Sequence, residues 1–340
     1  MGDDVAAWLK NNYRGIVFSL SIAIVAYFLG NNFPLVGGAI FGILLGIGIG
    51  NITPRKSTLT GGIDFTSKTI LQWAVIILGS GLSLRQVYAT GLASVIIILV
   101  TITAAFAAVF VAGRLLKVEF NLKSLIGVGT AICGGSAIAA VAPIIEAEDQ
   151  EIAYAISTVF LFNIVAVFIF PALGHALGLT QMGFGLFAGT AINDTSSVVA
   201  AGYTFGNASG DYATIVKLTR TIMIVPIALG FVALMMFRKK KEAQEGRIGK
   251  FRLVKIFPWF ILGFLLMSAL NTSGVLDKAM VSFLKEAGKF LIIMALSAIG
   301  LKTDPRKMLA TGLRPMLLGF FVWMSVAFTS IVVQRLAGQW

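Results

Sequence analysis

The sequence predicts an all-α polytopic membrane protein, and three observations support this fold class. Of its 340 residues, 57% are hydrophobic and only 12% are charged, and the mean hydropathy is +0.91. A water-soluble domain has about 25% charged residues, so most of this surface does not face water. The apolar residues are gathered in eleven runs, each close to the ~20 residues that a helix needs to cross a bilayer. We therefore expect one transmembrane transporter domain over residues 1–340, with about eleven transmembrane helices.

The positions of the basic residues predict the orientation of these spans. The spans lie at roughly 15–31, 34–50, 66–84, 88–113, 123–145, 152–175, 182–205, 213–237, 254–271, 285–301 and 312–335. Lys and Arg are retained in cytoplasmic loops, and the link 238–255 holds eight basic and two acidic residues. Other links on the same side contain Arg55, Lys56, Arg114, Lys117, Lys123, Lys302, Arg306 and Lys307. This pattern predicts a cytoplasmic N-terminus in a bacterial inner membrane.

Composition also excludes several classes of function. One cysteine, Cys133, cannot form an intrachain disulfide, and with one histidine, His175, the chain has too few ligands for a structural zinc site. The pI of about 9.9 comes largely from one loop rather than from a nucleic-acid-binding face. No nucleotide-binding loop and no catalytic set at membrane depth are found. We expect no cofactor, no metal, no nucleic-acid partner and no enzymatic activity.

Two spans contain interruptions in their middle. Residues 127–140 hold four glycines and three small polar side chains, and residues 193–197 are all polar. Both spans contain Gly-Thr-Ala-Ile followed four residues later by a serine, at an offset of 60. Small residues alone often serve close helix packing, but five consecutive polar residues cannot all face one neighbour. Discontinuous helices of this kind bind substrate and coupling ions in secondary transporters.

The residues at and near these breaks are the predicted site. Half-helices that restart at membrane depth direct their amide N–H groups, with about +0.5 charge each, into a cavity that prefers an anion. The predicted substrate-binding residues are Thr130, Cys133, Gly134, Gly135, Ser136, Asn193, Asp194, Thr195, Ser196, Ser197, Lys217 and Arg220. Asn163, in span six, is interpreted as a structural interhelical hydrogen-bond donor.

Asp194 is the one carboxylate placed well inside a span, where a charge costs at least about 2.5–3.5 kcal/mol. Lys217 and Arg220 are candidates to compensate it, because their spacing of three puts both on one helical face. The alternative for this pair is an interfacial anchor. Asp194 is also the predicted coupling-ion residue. Proton coupling and a sodium site that includes Asn193 and Thr130 both remain open.

A second internal similarity suggests inverted repeats. Residues 85–92 and 306–313 each have Arg, three residues, and then Ala-Thr-Gly-Leu, and the predicted topology places them on opposite faces. Span ten, 285–301, contains Gly288, Ser297 and Gly300 and is a candidate third broken helix.

Over nearly the whole chain, the sequence resembles the YeiH-like sulfate exporter family. The matching stretches are 126–137, Ala142-Pro143, Glu146-Ala147, 189–195 and 198–202, with Lys217, Arg220 and the Gly-Leu corners at Gly81 and Gly300. The second motif of that family often reads His-Glu-x-x-Gln, where this chain has Asn193, Asp194 and Ser197. The chain keeps the acid and lacks the imidazole, which argues against a His-based proton relay.

The resemblance implies a secondary transporter related in fold to bile-acid symporters and sodium–proton antiporters, with crossing discontinuous helices. It also implies a core with the broken helices and a panel used for homodimerisation. The predicted function is export of a small inorganic or organic anion, such as sulfate or a sulfonate, by alternating access, with proton coupling as an option. The alternative is a cation/proton antiporter that uses Asp194.

Overall fold

A computed structural model describes residues 2–33, 37–52, 57–241, 258–306 and 311–340. Within these ranges the chain is all-helical, with no β-strand. The α-helices are α1 (Gly2–Asn32), α2 (Gly37–Ile52), α3 (Ser57–Phe65), α4 (Leu71–Leu78), α5 (Leu84–Leu115), α6 (Phe120–Ala131), α7 (Gly135–Val141), α8 (Asp149–Ala176), α9 (Gln181–Ala191), α10 (Thr195–Phe205), α11 (Asn207–Ile222), α12 (Ile224–Lys241), α13 (Phe260–Thr272), α14 (Lys278–Lys302) and α15 (Leu313–Leu336).

Among the described residues, five helical segments are long and apolar enough to cross a membrane. They are Asn12–Asn32, Leu84–Leu115, Asp149–Ala176, Asn207–Phe237 and Leu313–Leu336, and the apolar helices α2 and α13 are shorter. The chain is therefore a membrane-embedded helical protein, while the total of eleven spans stays a prediction. The predicted orientation also stays a prediction, because several of the basic residues on which it rests lie outside the described ones. These are Arg55, Lys56, Lys307 and residues 242–255 of the basic link.

The described chain forms two compact units. The first consists of Met1–Ala89, Val199–Asp211 and Trp259–Pro305, and in it α14 packs against α1, α2 and α4. The second consists of Thr90–Val198, Tyr212–Pro258 and Arg306–Trp340, and in it α6 packs against α7, α8 and α15. The predicted division into a core and a dimerisation panel stays a prediction.

The prediction of a third broken helix at 285–301 is wrong, because α14 is continuous from Lys278 to Lys302. Its small residues serve close packing instead. A methyl group at Gly300 would lie 2.9 Å from Cα of Gly46 on α2, and one at Gly288 would lie 3.0 Å from the Leu78 side chain on α4. The small residues of this helix therefore allow its neighbours to approach closely and do not interrupt it.

Span three has an irregularity that the sequence did not predict. A π-helical turn, Thr66–Ile70, separates α3 from α4, and a 3₁₀ turn follows at Gly79–Gly81. Asp64, just before the π-turn, pairs with Lys302 at 2.5 Å, and both side chains are partly exposed. The π-turn widens the helix locally, and the residues on both sides of it, Phe65 and Leu71, have helical dihedral angles.

Candidate functional site

The first interruption separates α6 from α7. The chain leaves the helix at Ile132, and Gly134 adopts φ +68° and ψ −129° before α7 begins at Gly135. Residues with a Cβ rarely adopt this conformation, so the turn requires glycine. The Gly134 amide donates to the Gly129 carbonyl at 2.9 Å. This break is therefore built into the local sequence.

The second interruption separates α9 from α10. Ile192 is extended, and Asp194 is the N-cap residue of α10. Its carboxylate accepts hydrogen bonds from the backbone amides of Ser196 at 3.0 Å and Ser197 at 3.3 Å, and from the Ser196 hydroxyl. An N-cap carboxylate satisfies otherwise unpaired amides and offsets the positive end of the helix dipole. The charge of Asp194 is thus stabilised first by its own helix.

The two breaks are direct neighbours. Asn163 of α8 accepts hydrogen bonds through Oδ1 from the amides of Asn193, at 3.0 Å, and Asp194, at 3.3 Å. A methyl group placed on Gly134 would lie 3.6 Å from Asp194 Cβ and 3.8 Å from Asn163 Nδ2. Asn163 therefore holds one break in position and contacts the region of the other.

Lys217 of α11 joins the carboxyl ends of the two half-helices. Its Nζ donates to the carbonyl of Ile132 at 2.6 Å and to that of Ile192 at 3.1 Å. The last carbonyls of a helix have no intrahelical partners and carry partial negative charge. The side chain is fully buried. The ammonium group thus replaces the partners that these carbonyls lose where the helices stop.

Arg220 lies one turn further along α11 and binds the same two helix ends. Its Nε donates to the Ala131 carbonyl at 2.7 Å, its Nη2 to Thr130 O at 2.9 Å, and its Nη1 to Thr190 O. The guanidinium has five donors in a rigid fork, so it can serve both half-helices at once. It too is fully buried, and the alternative of an interfacial anchor for this pair is wrong.

The repeated Gly-Thr-Ala-Ile motif has a physical explanation in these contacts. Arg220 binds the carbonyls of Thr130 and Thr190, and Lys217 binds those of Ile132 and Ile192. Both pairs of carbonyls differ by the offset of 60 that the sequence shows. The motif therefore marks two half-helices that end in the same way against the same two cations.

The predicted site residues divide into accessible and buried groups. Gly135, Asp194 and Thr195 are half-buried and Ser136 is exposed. The buried ones are Thr130, Cys133, Gly134, Asn193, Ser196, Ser197, Lys217 and Arg220. In the described part of the chain no ion pair joins Asp194 to either cation. The compensation predicted from the sequence is therefore not a direct contact.

Two contacts at this site were not predicted. Asn163 was interpreted as an interhelical donor, whereas its Oδ1 accepts from the backbone of the second break. The signal was available, since Asn163 is the one amide side chain in span six. Thr190 also shares a 2.6 Å hydrogen bond with Ser330 of α15. No local pattern indicates this pairing, because the residues are 140 positions apart.

The sequence is similar to those of known membrane proteins. The family model described as "Conserved hypothetical protein 698" matches residues 14–319. A "UPF0324 membrane protein" from Clostridium tetani is 42% identical over 342 residues, which cover 98% of this chain and 99% of the relative. The chain belongs to this family of membrane proteins.

Further relatives come from other bacteria. The UPF0324 membrane protein FN0533 from Fusobacterium nucleatum is 43% identical over 97% of this chain and 99% of its own. The UPF0324 membrane protein M6_Spy0799 from Streptococcus pyogenes is 44% identical over 96% of this chain and 97% of its own. Nearly full coverage on both sides means that the broken helices and α11 lie inside the shared region, and the predicted YeiH-like family is confirmed.

Proposed function

We propose that this protein is a secondary active transporter that exports a small anion by alternating access. The observation that supports this proposal is the charge at the paired helix breaks. Lys217 and Arg220 are fully buried there, and Asp194 is the one carboxylate among the residues that line the two breaks. Two positive charges and one negative charge leave one positive charge without a counter-charge.

The helix dipoles do not change this excess of one positive charge at the breaks. Two helix C-termini, of α6 and α9, and two N-termini, of α7 and α10, meet at the breaks. Their partial charges of about 0.5 each are of opposite sign and cancel. Both cations are hydrogen-bonded to carbonyls, but a buried excess of positive charge is still unfavourable, so a bound anion stabilises this arrangement. A sodium ion at the same place adds to the uncompensated positive charge.

The proposed position of the anion is beside the accessible residues of the breaks. Ser136 offers a hydroxyl, and the amides of Gly135 and Ser136 are the first of α7 and have no intrahelical partners. At the matching position of α10 the Asp194 carboxylate already occupies the helix N-terminus. A substrate oxyanion, such as sulfate, a sulfonate or a carboxylate, accepts hydrogen bonds from the first amides of α7. The Asp194 carboxylate accepts the equivalent hydrogen bonds at the start of α10.

Transport into proteoliposomes is the direct test. Purified protein is expected to move labelled sulfate or methanesulfonate, and Ser136→Leu is expected to block this movement because the larger apolar side chain fills the accessible side of the break. Thr103→Leu is the matched control, since Thr103 is exposed on α5 and its hydroxyl bonds to its own helix. A parent protein that moves neither these anions nor acetate, while it is folded, contradicts the proposal.

Proton coupling is part of the proposal and has its own test. An ionised Asp194 repels an anion at the neighbouring break, and protonation removes this repulsion. Anion movement is therefore expected to depend on an imposed pH gradient in the parent protein and to lose this dependence in Asp194→Asn. Movement that is independent of the gradient in both proteins contradicts the coupling and leaves the anion-transport proposal to the preceding test.

The second candidate function is a cation/proton antiporter, which the half-buried position of Asp194 favours. It predicts exchange of Na⁺ for H⁺ that Asp194→Asn abolishes and that no anion affects. Substitution of Lys217 or Arg220 does not discriminate between the two candidates, because either change also removes partners of the helix ends.

The bacterial inner membrane, the cytoplasmic N-terminus and the homodimer belong to the same proposal. Accessibility of labels at each terminus and the mass of the purified assembly test them.

A further inference from the structure

The amide of Asn163 has a fixed orientation. The oxygen and nitrogen of an asparagine side chain are distinguished by their partners. Here one atom accepts hydrogen bonds from two backbone amides, those of Asn193 and Asp194. Only an oxygen can accept both, so this atom is Oδ1 and the other is the donor Nδ2.

Nδ2 of Asn163 is buried and has no hydrogen-bond partner in the part of the chain that the structure describes. The residue as a whole is 1% exposed. Most buried polar groups in proteins are paired, and an unpaired one needs an explanation. Oδ1 of Asn163 is thus paired with the backbone amides of Asn193 and Asp194, whereas the Nδ2 donor of the same side chain has no partner among the described residues.

This donor lies near Gly134, which carries no side chain. A methyl group on Gly134 would have Asp194 Cβ, at 3.6 Å, and Asp194 Cα, at 3.7 Å, as its nearest neighbours, followed by Asn163 Nδ2 at 3.8 Å. These are ordinary van der Waals distances, so the side chains of Asp194 and Asn163 lie next to this face of Gly134 without closing over it. The backbone conformation of Gly134 requires glycine in any case. The space therefore stays free of side-chain atoms.

We propose that Asn163 is a substrate-binding residue, whose Nδ2 donates a hydrogen bond to an oxygen of the transported anion in the space beside Gly134. This inference rests on the proposed function and makes it more specific. An NH₂ group cannot ligate a cation, so the partner that completes it is an acceptor, which an oxygen of the transported anion provides. Asn163 then has two functions, since Oδ1 positions the second break and Nδ2 binds substrate at the first.

Asn163→Asp separates these two functions. The aspartate keeps an oxygen for the amides of Asn193 and Asp194 and replaces the donor with a second acceptor. We expect a loss of at least tenfold in affinity for sulfate and methanesulfonate, measured as ligand-induced stabilisation of the purified protein. The unfolding midpoint without ligand is also expected to fall, because the variant buries a second carboxyl group near Asp194. Unchanged affinity overturns the proposal, and a cysteine at the same position tests contact without the added negative charge.

A cysteine in the same position tests contact independently of charge. The chain has one cysteine, Cys133, which is buried, so labelling of Asn163→Cys by a small methanethiosulfonate reagent is read at that peptide by mass spectrometry. We expect labelling in membranes, slowed several-fold by saturating sulfate or methanesulfonate. The matched control is Thr158→Cys on the same helix, because Thr158 is equally buried and its hydroxyl also has no partner. Its labelling is expected to be unaffected by either anion.

The outcomes separate this inference from the proposed function. A parent protein that sulfate, methanesulfonate and acetate all fail to stabilise overturns the proposed function and this inference with it. A parent protein that responds, with Asn163→Asp equally responsive and Asn163→Cys unprotected, overturns the inference alone. Protection that is equal at residues 163 and 158 shows a general conformational effect and also overturns it.

Discussion

The two helix breaks are alike where the first half-helix ends and differ where the second half-helix starts. Where α6 and α9 stop, equivalent carbonyls bind the same pair of cations, Lys217 and Arg220. Where the chain resumes, Asp194 caps α10 with its carboxylate, but the matching residue at the start of α7 is Gly134, which has no side chain. One helix N-terminus is therefore completed by the protein itself, and the other is available for an anion from outside.

This difference teaches that a repeated motif can have one structural half and one functional half. The shared part, Gly-Thr-Ala-Ile, fixes where each helix stops. The part that differs determines what the restarting helix binds. Substitutions at the cations are expected to affect both breaks, whereas substitutions at 134–136 and 194 are expected to affect one break each.

Arg220→Met is expected to have the largest effect. It leaves three carbonyls, on residues 130, 131 and 190, buried and unpaired. Each unsatisfied buried group costs about 1–3 kcal/mol, so we expect at least about 3 kcal/mol of destabilisation. The measurement is thermal unfolding in detergent, with Arg114→Met, at an exposed position of α5, as the control. Equal unfolding midpoints for the two variants refute the assigned role of Arg220.

Lys217→Met is expected to have a smaller effect of the same kind. It removes two contacts, to the carbonyls of Ile132 and Ile192, and so costs about 2–6 kcal/mol at the same 1–3 kcal/mol per group. Methionine retains most of the packing volume of the side chain. Lys278→Met, at an exposed position, controls for the loss of a positive charge. A destabilisation larger than that of Arg220→Met contradicts the division of contacts described above.

How far the sequence could predict this site depends on the range of each interaction. The breaks were predictable because their causes are local, namely Gly134 at one and the polar run from Asn193 at the other. The spacing of Lys217 and Arg220 correctly placed them on one helical face. Their true partners could not be predicted, because the carbonyls of two other helices come together only in the folded chain.

Two further errors have different causes. The role of Asp194 as an N-cap could have been predicted, since an acid followed by Thr-Ser-Ser is a common start of a helix. The same carboxylate at membrane depth also fits an ion-pairing or coupling role, so the charge alone does not indicate the cap. The continuity of α14 could not be predicted from Gly288 and Gly300, because the same small residues fit a break and a close packing contact.

Asp194→Ala distinguishes a structural from a functional acid. Loss of the cap of α10 is expected to cost about 1 kcal/mol, and Asp194→Asn is expected to recover most of it, because asparagine is also a good N-cap. Thermal unfolding of the three proteins gives the comparison. If Asn restores stability but not the dependence of transport on the pH gradient, the carboxylate has a role beyond the cap. Equal stability of Ala and wild type contradicts the cap itself.

Gly135→Ala is expected to have the smallest effect on stability and the most direct effect on binding. A Cβ at this first position of α7 meets no atom within 4 Å, so folding is unchanged within about 0.5 kcal/mol. The added methyl group occupies the space next to Ser136, where the anion is proposed to bind, and several-fold weaker stabilisation by sulfate is expected.

Gly129→Ala is the contrasting variant, because its Cβ would lie 2.9 Å from Ile138 and 3.0 Å from Val159. Overpacking there costs about 1–3 kcal/mol, so stability falls at residue 129 and affinity falls at residue 135. The opposite pattern places the accessible side of the first break on the wrong residues.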